Sequence, residues 1–351
     1  MSTATTDDFA GRMLTAALGA VEVMSVHLGD RLGWYRALAD GGPATAEELT
    51  GRAGGSVRYA REWLEQQASF GILTVDGDGR FRLPAAAVEV LTDPASLSYL
   101  APLARMIAAA GAQMPALVQA YRTGGGVGWA AFGADMRESQ ADMNRPWFDR
   151  ELAGALAGVP EVDVVLGRPG ARVADVGCGA GWSTIALAKA YPQAVLDGFD
   201  VDGPSVEMAR RNAADAGLGE RVRFHCTDAA GLTERGYDAA FAFECVHDLP
   251  QPVQVLAGIR RAVVPGGPVI VMDEAVGDTF QAPGDELERL MYGFSLLICL
   301  PDGMAHQPSA GTGTVMRPDV LRGYARDAGF ADVATLPIED FGFWRFYRLL
   351  H

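Results

Sequence analysis

Residues 173–187 read Val-Ala-Asp-Val-Gly-Cys-Gly-Ala-Gly-Trp-Ser-Thr-Ile-Ala-Leu. A short apolar strand ends in an acid, Asp175, and a turn with glycines at 177, 179 and 181 opens an apolar-periodic helix. Glycine lets backbone approach a ligand where a Cβ would intrude. The first turn of the helix behind it aims unpaired N–H groups at the same place. This is the architecture of a nucleotide-cofactor site. The dinucleotide fingerprint needs glycines at i, i+2 and i+5, and counted from Gly177 the last position is Trp182, so that reading fails. The Gly-Lys-Ser/Thr of a P-loop is absent as well.

More strand ends carry acids. Ala194–Asp200 reads as a second strand closed by Asp200, where a carboxylate can accept hydrogen bonds from both ribose hydroxyls. Val206–Ala216 reads as a helix, and Arg221–Asp228 as a third strand closed by Asp228. Tyr237–Phe243 and the loop Glu244-Cys-Val-His-Asp-Leu-Pro250 follow. Then come a helix carrying Val253, Leu256 and Ile259, a Pro-Gly-Gly turn at Pro265, and the strand Val269–Asp273.

The Asp-x-Gly-x-Gly-x-Gly run, the strand-end acids and the Pro-Gly-Gly turn, in this order, resemble the class I S-adenosylmethionine (SAM) methyltransferases over residues 165–351. The resemblance implies an α/β fold, a doubly wound seven-stranded sheet of strand order 3-2-1-4-5-7-6, with SAM as cofactor. It implies that Asp175 and the backbone of the turn, with Gly177, Cys178, Gly179 and Gly181, face the methionine part, Asp200 the ribose and Asp228 the adenine. Val201, Thr227, Ala229, Phe243 and Glu244 would complete the cofactor contacts.

Methyl transfer from a sulfonium expels a neutral thioether, so orientation supplies much of the acceleration. A weakly acidic acceptor also needs a base or an electrophile. Candidates must lie at the carboxyl ends of the strands, where doubly wound sheets bind ligands. His247 and Asp248 lie there, after the fourth strand, and His306 sits in the insertion 275–316, which is long enough to be a lid. That insertion holds an apolar helix, Leu287–Leu300. Three readings of His247 stand open: a structural brace of the loop, a general base oriented by Glu244 or Glu274, and a metal ligand. In the third, His247, Asp248 and His306 form a two-histidine, one-carboxylate set suited to non-haem iron. Such a site, by resemblance to a phenylpyruvate C-methyltransferase of the same layout, would take a 2-keto acid. His225 reads as structural.

The elements ahead of these motifs are of another kind. Residues 12–40 have helical apolar spacing broken at Gly33 and at Gly41-Gly42-Pro43. Thr45-Ala-Glu-Glu48 is a capping box that starts a short helix, Ser56 is placed to cap the next, and Ile72–Leu83 is a hairpin with an Asp-Gly turn. Helix, helix, hairpin is a winged helix. Its recognition helix, Ser56–Ala68, carries Arg58 and Arg61 against Glu62 and Glu65, where a phosphate-tracking helix should be basic. The resemblance implies a homodimerisation domain instead. Residues 97–122 read as a long helix or a helix pair broken near Pro115, Thr123–Trp129 as a flexible stretch, and Met143–Phe148 as a helix restart. The expected organisation is a mainly helical winged-helix-like domain over 1–95, a helical connector over 96–160, and a SAM-binding domain over 161–351.

The 351 residues suffice for two cores, and 49% hydrophobic content is that of a globular chain. Net charge is −15, which opposes non-specific nucleic-acid binding. Runs such as Phe294–Leu300 are too short to cross a bilayer, no signal-peptide pattern opens the chain, and the four cysteines form no Cys-x-x-Cys pair. A cytoplasmic protein without membrane or nucleic-acid partners is expected. The leading function is methylation of a small molecule at oxygen, nitrogen or carbon, with a 2-keto acid among the acceptors and secondary metabolism as the setting. A SAM-responsive winged-helix regulator is the alternative. A protein or RNA methyltransferase comes third, since Glu244-Cys-Val-His stands where an Asn/Asp-Pro-Pro-Tyr tetrad would. The sequence names neither the acceptor nor the residues of its pocket.

Overall fold

The computed structural model describes residues 5–232 and 235–351. They divide into two compact units, Met1–Gly111 with Glu138–Pro146, and Ala112–Arg137 with Trp147–His351. Residues 96–160 are therefore shared between the two.

In the first unit, α1 (Thr6–Arg31) begins at a capping box between Thr5 and Asp8. α2 (Trp34–Gly41), α3 (Ala46–Ala53) and α4 (Val57–Ser69) follow, then the hairpin β1 (Thr74–Val75) and β2 (Phe81–Arg82), and α5 (Ala85–Thr92). Thr45 and Glu48 form the reciprocal cap expected for α3. Ser56 stands at the N-cap of α4 but makes no side-chain cap bond, which corrects the expected cap. Trp34, Tyr35, Leu38, Leu49, Trp63 and Leu64 form the core, and the Trp63 ring meets Trp34 and Tyr35 edge to face. α1 contributes little to that core: Leu14, Leu18, Val21 and Leu28 are all at least half exposed. By length and composition alone α1 could cross a membrane, with a window of mean hydropathy 1.3. Its apolar residues are interspersed with Arg12 and Glu22.

α6 (Ala101–Ala112) and α7 (Met114–Thr123) are the expected helix pair. α8 (Trp129–Trp147) runs on through Met143 without a restart; its break is instead at Gly133, whose φ of 78° needs glycine. Thr123–Trp129 is not a loose stretch. Val127 is buried and donates its N–H to the Pro301 carbonyl at 2.9 Å, and a Cβ on Gly126 would run into the backbone of Pro301 and Ala305. A π-helical turn (Phe148–Leu152), α9 (Ala153–Ala157) and α10 (Pro160–Leu166) lead into the sheet.

Strands and helices then alternate: β3 (Arg172–Val176), α11 (Trp182–Ala190), β4 (Val195–Asp200), α12 (Gly203–Asp215), β5 (Val222–Cys226), a 3₁₀ turn (Ala229–Gly231), β6 (Ala239–Phe243), α13 (Pro252–Ala262) and β7 (Val269–Glu274). The insertion after β7 carries α14 (Glu286–Phe294), a π-helical turn (Ser295–Cys299) and α15 (Leu300–Met304), so the helix expected to end at Leu300 continues to Met304. α16 (Pro318–Asp327), β8 (Asp332–Thr335) and β9 (Trp344–Leu350) complete the unit. The sheet order is β5-β4-β3-β6-β7-β9-β8, parallel except for β9, which is antiparallel to both neighbours. Counted within this unit, that is 3-2-1-4-5-7-6, as expected. β6 is buried along its whole length, as a central parallel strand covered on both faces must be. One apolar layer includes Leu152, Val162, Ile185 and Leu196; the opposite one includes Leu256, Ile259, Leu321 and Phe330. The loops after β3, β4, β6 and β7 all leave the carboxyl edge of the sheet.

Candidate active site

The three glycines of the turn after β3 have different reasons to be glycine. All have positive φ. A Cβ on Gly177 would lie 2.6 Å from Cys245, and one on Gly181 2.6 Å from the Phe224 ring and 2.9 Å from Ala209. Around Gly179 nothing lies within 4 Å. Only Gly179 keeps open space beside its backbone, so the ligand-approach argument applies to it, and packing accounts for the other two. The Gly177 and Cys178 amides donate to the Phe199 carbonyl, which fixes the turn against β4.

Asp175 is buried beneath this turn. One carboxylate oxygen accepts from the Ser183 and Thr184 hydroxyls, both at 2.6 Å. The other is buried without a partner. Burial pushes its pKa up to about 6, against the pull of the two hydroxyls. At the end of β4, Asp200 accepts from the Gly179 N–H and the Asp202 N–H, each at 2.8 Å. Burial raises its pKa, and those amides oppose the rise. Val201 is exposed beside it. The Thr227 N–H donates to the Asp200 carbonyl, Asp228 caps the 3₁₀ turn through the Ala230 N–H at 2.8 Å, and Ala229 is buried. Phe243 packs in the core against Phe241. Glu244 holds a φ of 51°, rare for a residue with a Cβ and a conformation that concentrates at functional sites.

His247 is 3% exposed. Its Nδ1 is 2.8 Å from an Asp273 oxygen and 3.2 Å from Glu274, both at the end of β7. Its Nε2 is 3.3 Å from Asp248. The orienting carboxylates are thus Asp273 and Glu274; the position of Glu244 in this role is not borne by the hydrogen bonds of the imidazole. Burial works against the imidazolium, but Asp248, Asp273 and Glu274 outweigh it and hold the pKa of His247 well above the ordinary histidine value. Burial lifts the Glu274 carboxyl to about 8.

His306 is exposed, beyond the end of α15. Among the described residues, the donor atoms that gather at His247 belong to Asp248 and Cys299 on one side and to Asp273 and Glu274 on the other. The expected set of His247, Asp248 and His306 is not among these gatherings; the third donor beside His247 and Asp248 is Cys299, on the π-helical turn. The residues present do not fit a two-histidine, one-carboxylate iron site. Asp302, for which the sequence holds no signal, accepts from the Trp129 N–H at 2.7 Å. Burial and then the charge of Asp248 push its pKa up to about 7.

Asp273 was within reach of sequence reasoning. It stands at the carboxyl end of its strand, as Asp175 and Asp200 do. Nothing in the sequence signals Cys299. His225 bonds Asp197 at 2.9 Å and stacks on Phe199. A recess of about 320 Å³ opens there, lined by Arg172, Val195, Asp197, Arg223, His225 and Arg235, and it does not include the carboxyl-edge loops.

Comparison with known proteins agrees with the fold. Residues 173–267 match the methyltransferase domain family, and residues 19–93 match the Rv2258c-like winged HTH domain. A trans-aconitate 2-methyltransferase of Methylobacterium nodulans is 34% identical over 145 residues, 41% of this chain and 50% of that protein. The chain spans about half the length of the curated relatives it matches. Among solved structures, human N-acetylserotonin methyltransferase in complex with SAM superposes with a TM-score of 0.72 at 18% identity, over 99% of each chain. Mitomycin 7-O-methyltransferase does so with a TM-score of 0.71 at 22% identity, over 99% of this chain and 100% of that one. The chain joins a winged helix-turn-helix domain to a methyltransferase domain.

Proposed function

We propose that this chain transfers a methyl group from SAM to a hydroxyl of a small-molecule acceptor, with His247 taking the hydroxyl proton. The observation that carries this reading is the buried Asp273–His247 pair, held at the carboxyl ends of β7 and β6 next to the β3 strand that bears the glycine turn. The methyltransferase domain and the small-molecule methyltransferases among its relatives support it.

SAM supplies an electrophilic methyl whose transfer leaves a neutral thioether. The chain's own residues do the rest. Asp175, with an unpaired buried oxygen, and the Gly179 backbone suit the polar methionine end. Asp200 suits the ribose hydroxyls, and Asp228 the adenine amine. His247 in its neutral form takes the acceptor proton at Nε2, and Asp273 stabilises the imidazolium that forms. Incubation with SAM and a panel of phenols, hydroxy acids and 2-keto acids tests the assignment. Oxygen-methylated product is expected, and a carbon-methylated 2-keto acid would overturn the hydroxyl as acceptor. Calorimetry with S-adenosylhomocysteine tests the cofactor: the wild type should bind, and Asp200→Ala should lose about 1–3 kcal/mol of binding through its charge-assisted hydrogen bonds. No binding by the wild type would sink the assignment.

The winged-helix unit, in this reading, pairs two copies of the chain. In α4, Arg58 is engaged by Glu62 and Arg61 by Glu47, which leaves little charge for phosphates. On α1 and its C-cap, Leu14, Leu18, Val21, Leu28 and Leu32 follow the spacing of a helix–helix seam, and all are exposed. Sedimentation should show a dimer of 37.1 kDa chains, and Leu18→Asp with Leu28→Asp should give monomer. A monomeric wild type, or tight salt-sensitive binding to duplex DNA, would refute the pairing.

A further inference from the structure

Arg137, in α8, reaches a loop 65 positions further along the chain. Its Nε and one terminal nitrogen lie 2.6 and 2.9 Å from the two carboxylate oxygens of Asp202, a bidentate pair with both side chains nearly buried. The Asp202 carboxylate also accepts from the Ser205 N–H and hydroxyl and so caps α12. Its own N–H donates to Asp200. Asp200 is thus gripped from two sides, by the Gly179 amide of the glycine turn and by the amide of a residue that Arg137 holds.

The two aspartates are also like charges two positions apart, in a chain of net charge −15. The charge of Asp202 raises the pKa of Asp200, although burial is the larger cause. Burial pulls Asp202 upward as well, but Arg137 and Ser205 leave it below the usual carboxylate value. An ionised Asp200 is the form that accepts hydrogen bonds from two hydroxyls. Without a cation at Asp202, repulsion within the loop would swing one carboxylate away or protonate it.

We propose that Arg137 is a positioning residue for the cofactor, which holds the Asp200–Asp202 loop closed and neutralises Asp202 so that Asp200 faces the ribose as an anion. This rests on the SAM reading above.

Calorimetry with S-adenosylhomocysteine on the full chain tests it. Arg137→Ala should weaken binding about tenfold, the scale of a lost charge-assisted pair, while kcat at saturating SAM stays within about twofold. Arg137→Lys should keep most of the affinity. The double variant Arg137→Ala with Asp202→Asn should regain most of it, because Asn keeps the helix cap and removes the repelling charge. A purely structural tie would give no such rescue. Unaltered binding by Arg137→Ala, or a double variant that binds no better than it, overturns the proposal. If Arg137→Ala fails to fold, the double variant and Arg137→Lys decide. Near wild-type binding by both supports the proposal, and a tenfold loss in the double variant overturns it. Failure of the wild type to bind would instead refute the SAM reading itself.

Discussion

Replacing His247 by alanine should lower kcat by about 10²–10⁴-fold, the usual contribution of a positioned general base, with little change in the affinity for S-adenosylhomocysteine. The side chain lies among Asp248, Asp273 and Glu274, so its removal also leaves buried carboxylates unpaired. His247→Gln, which keeps a polar donor in the same space, therefore controls for lost stability. The pH profile carries the mechanism further. A base must be neutral to take a proton, and the surrounding carboxylates hold the His247 pKa above its ordinary value. Activity should accordingly rise with pH through a limb lying above about 6.5. In Asp273→Asn one of the charges that favours the imidazolium is gone, and the limb should move to lower pH as kcat falls. A wild-type limb at or below the ordinary histidine value, or full activity in both His247 variants, would leave His247 as a brace of the loop. Activity should also survive a chelator. Its loss on chelation, restored by metal, would reinstate a metal at this cluster.

The second large effect separates two glycines that look alike in the sequence. Gly181→Ala should destabilise the protein by about 2–4 kcal/mol, from left-handed strain and overpacking together. Its φ is 80°, and the new Cβ would lie 2.6 Å from Phe224 and 2.9 Å from Ala209. Gly179→Ala meets nothing within 4 Å, so its stability cost should be only about 1–2 kcal/mol for the φ of 52°. Its penalty should fall on the cofactor, as a weakened affinity for S-adenosylhomocysteine, because the methyl enters the open space beside the Gly179 backbone. Chemical denaturation and calorimetry on the two variants read these separately. A Gly179→Ala protein that binds like the wild type would remove this turn from the cofactor site.

Much of the frame was legible because its signals are local. A glycine-spaced turn, an acid at a strand end, a capping box at Thr45 and a Pro-Gly-Gly turn each lie within a few residues, and chain geometry alone constrains what they can form. Asp175, Asp200 and the glycine turn at 177–181 could be found this way, as could the alternation that yields the seven-stranded sheet. Misreadings came where a local pattern had a distant competitor. Thr123–Trp129 reads as loose from its glycines, yet Gly126 is glycine so that the strand of chain can lie against Pro301 and Ala305. The break expected at Met143 lies at Gly133, where the backbone angle, not the composition, decides.

Periodicity and turn chemistry act over short separations, so the order of elements, the glycine turn and the residues at the carboxyl edge of the sheet can be read from the chain alone. Which of those residues meet is settled by the folded domain. It set Asp273 rather than Glu244 at the imidazole, Cys299 rather than His306 beside Asp248, and Arg137 against Asp202. Those partners lie dozens of positions apart, and their meeting depends on strand register and on the course of the insertion that carries Cys299. Such contacts are fixed by the packing of the whole domain, and no short window of sequence contains the forces that make them.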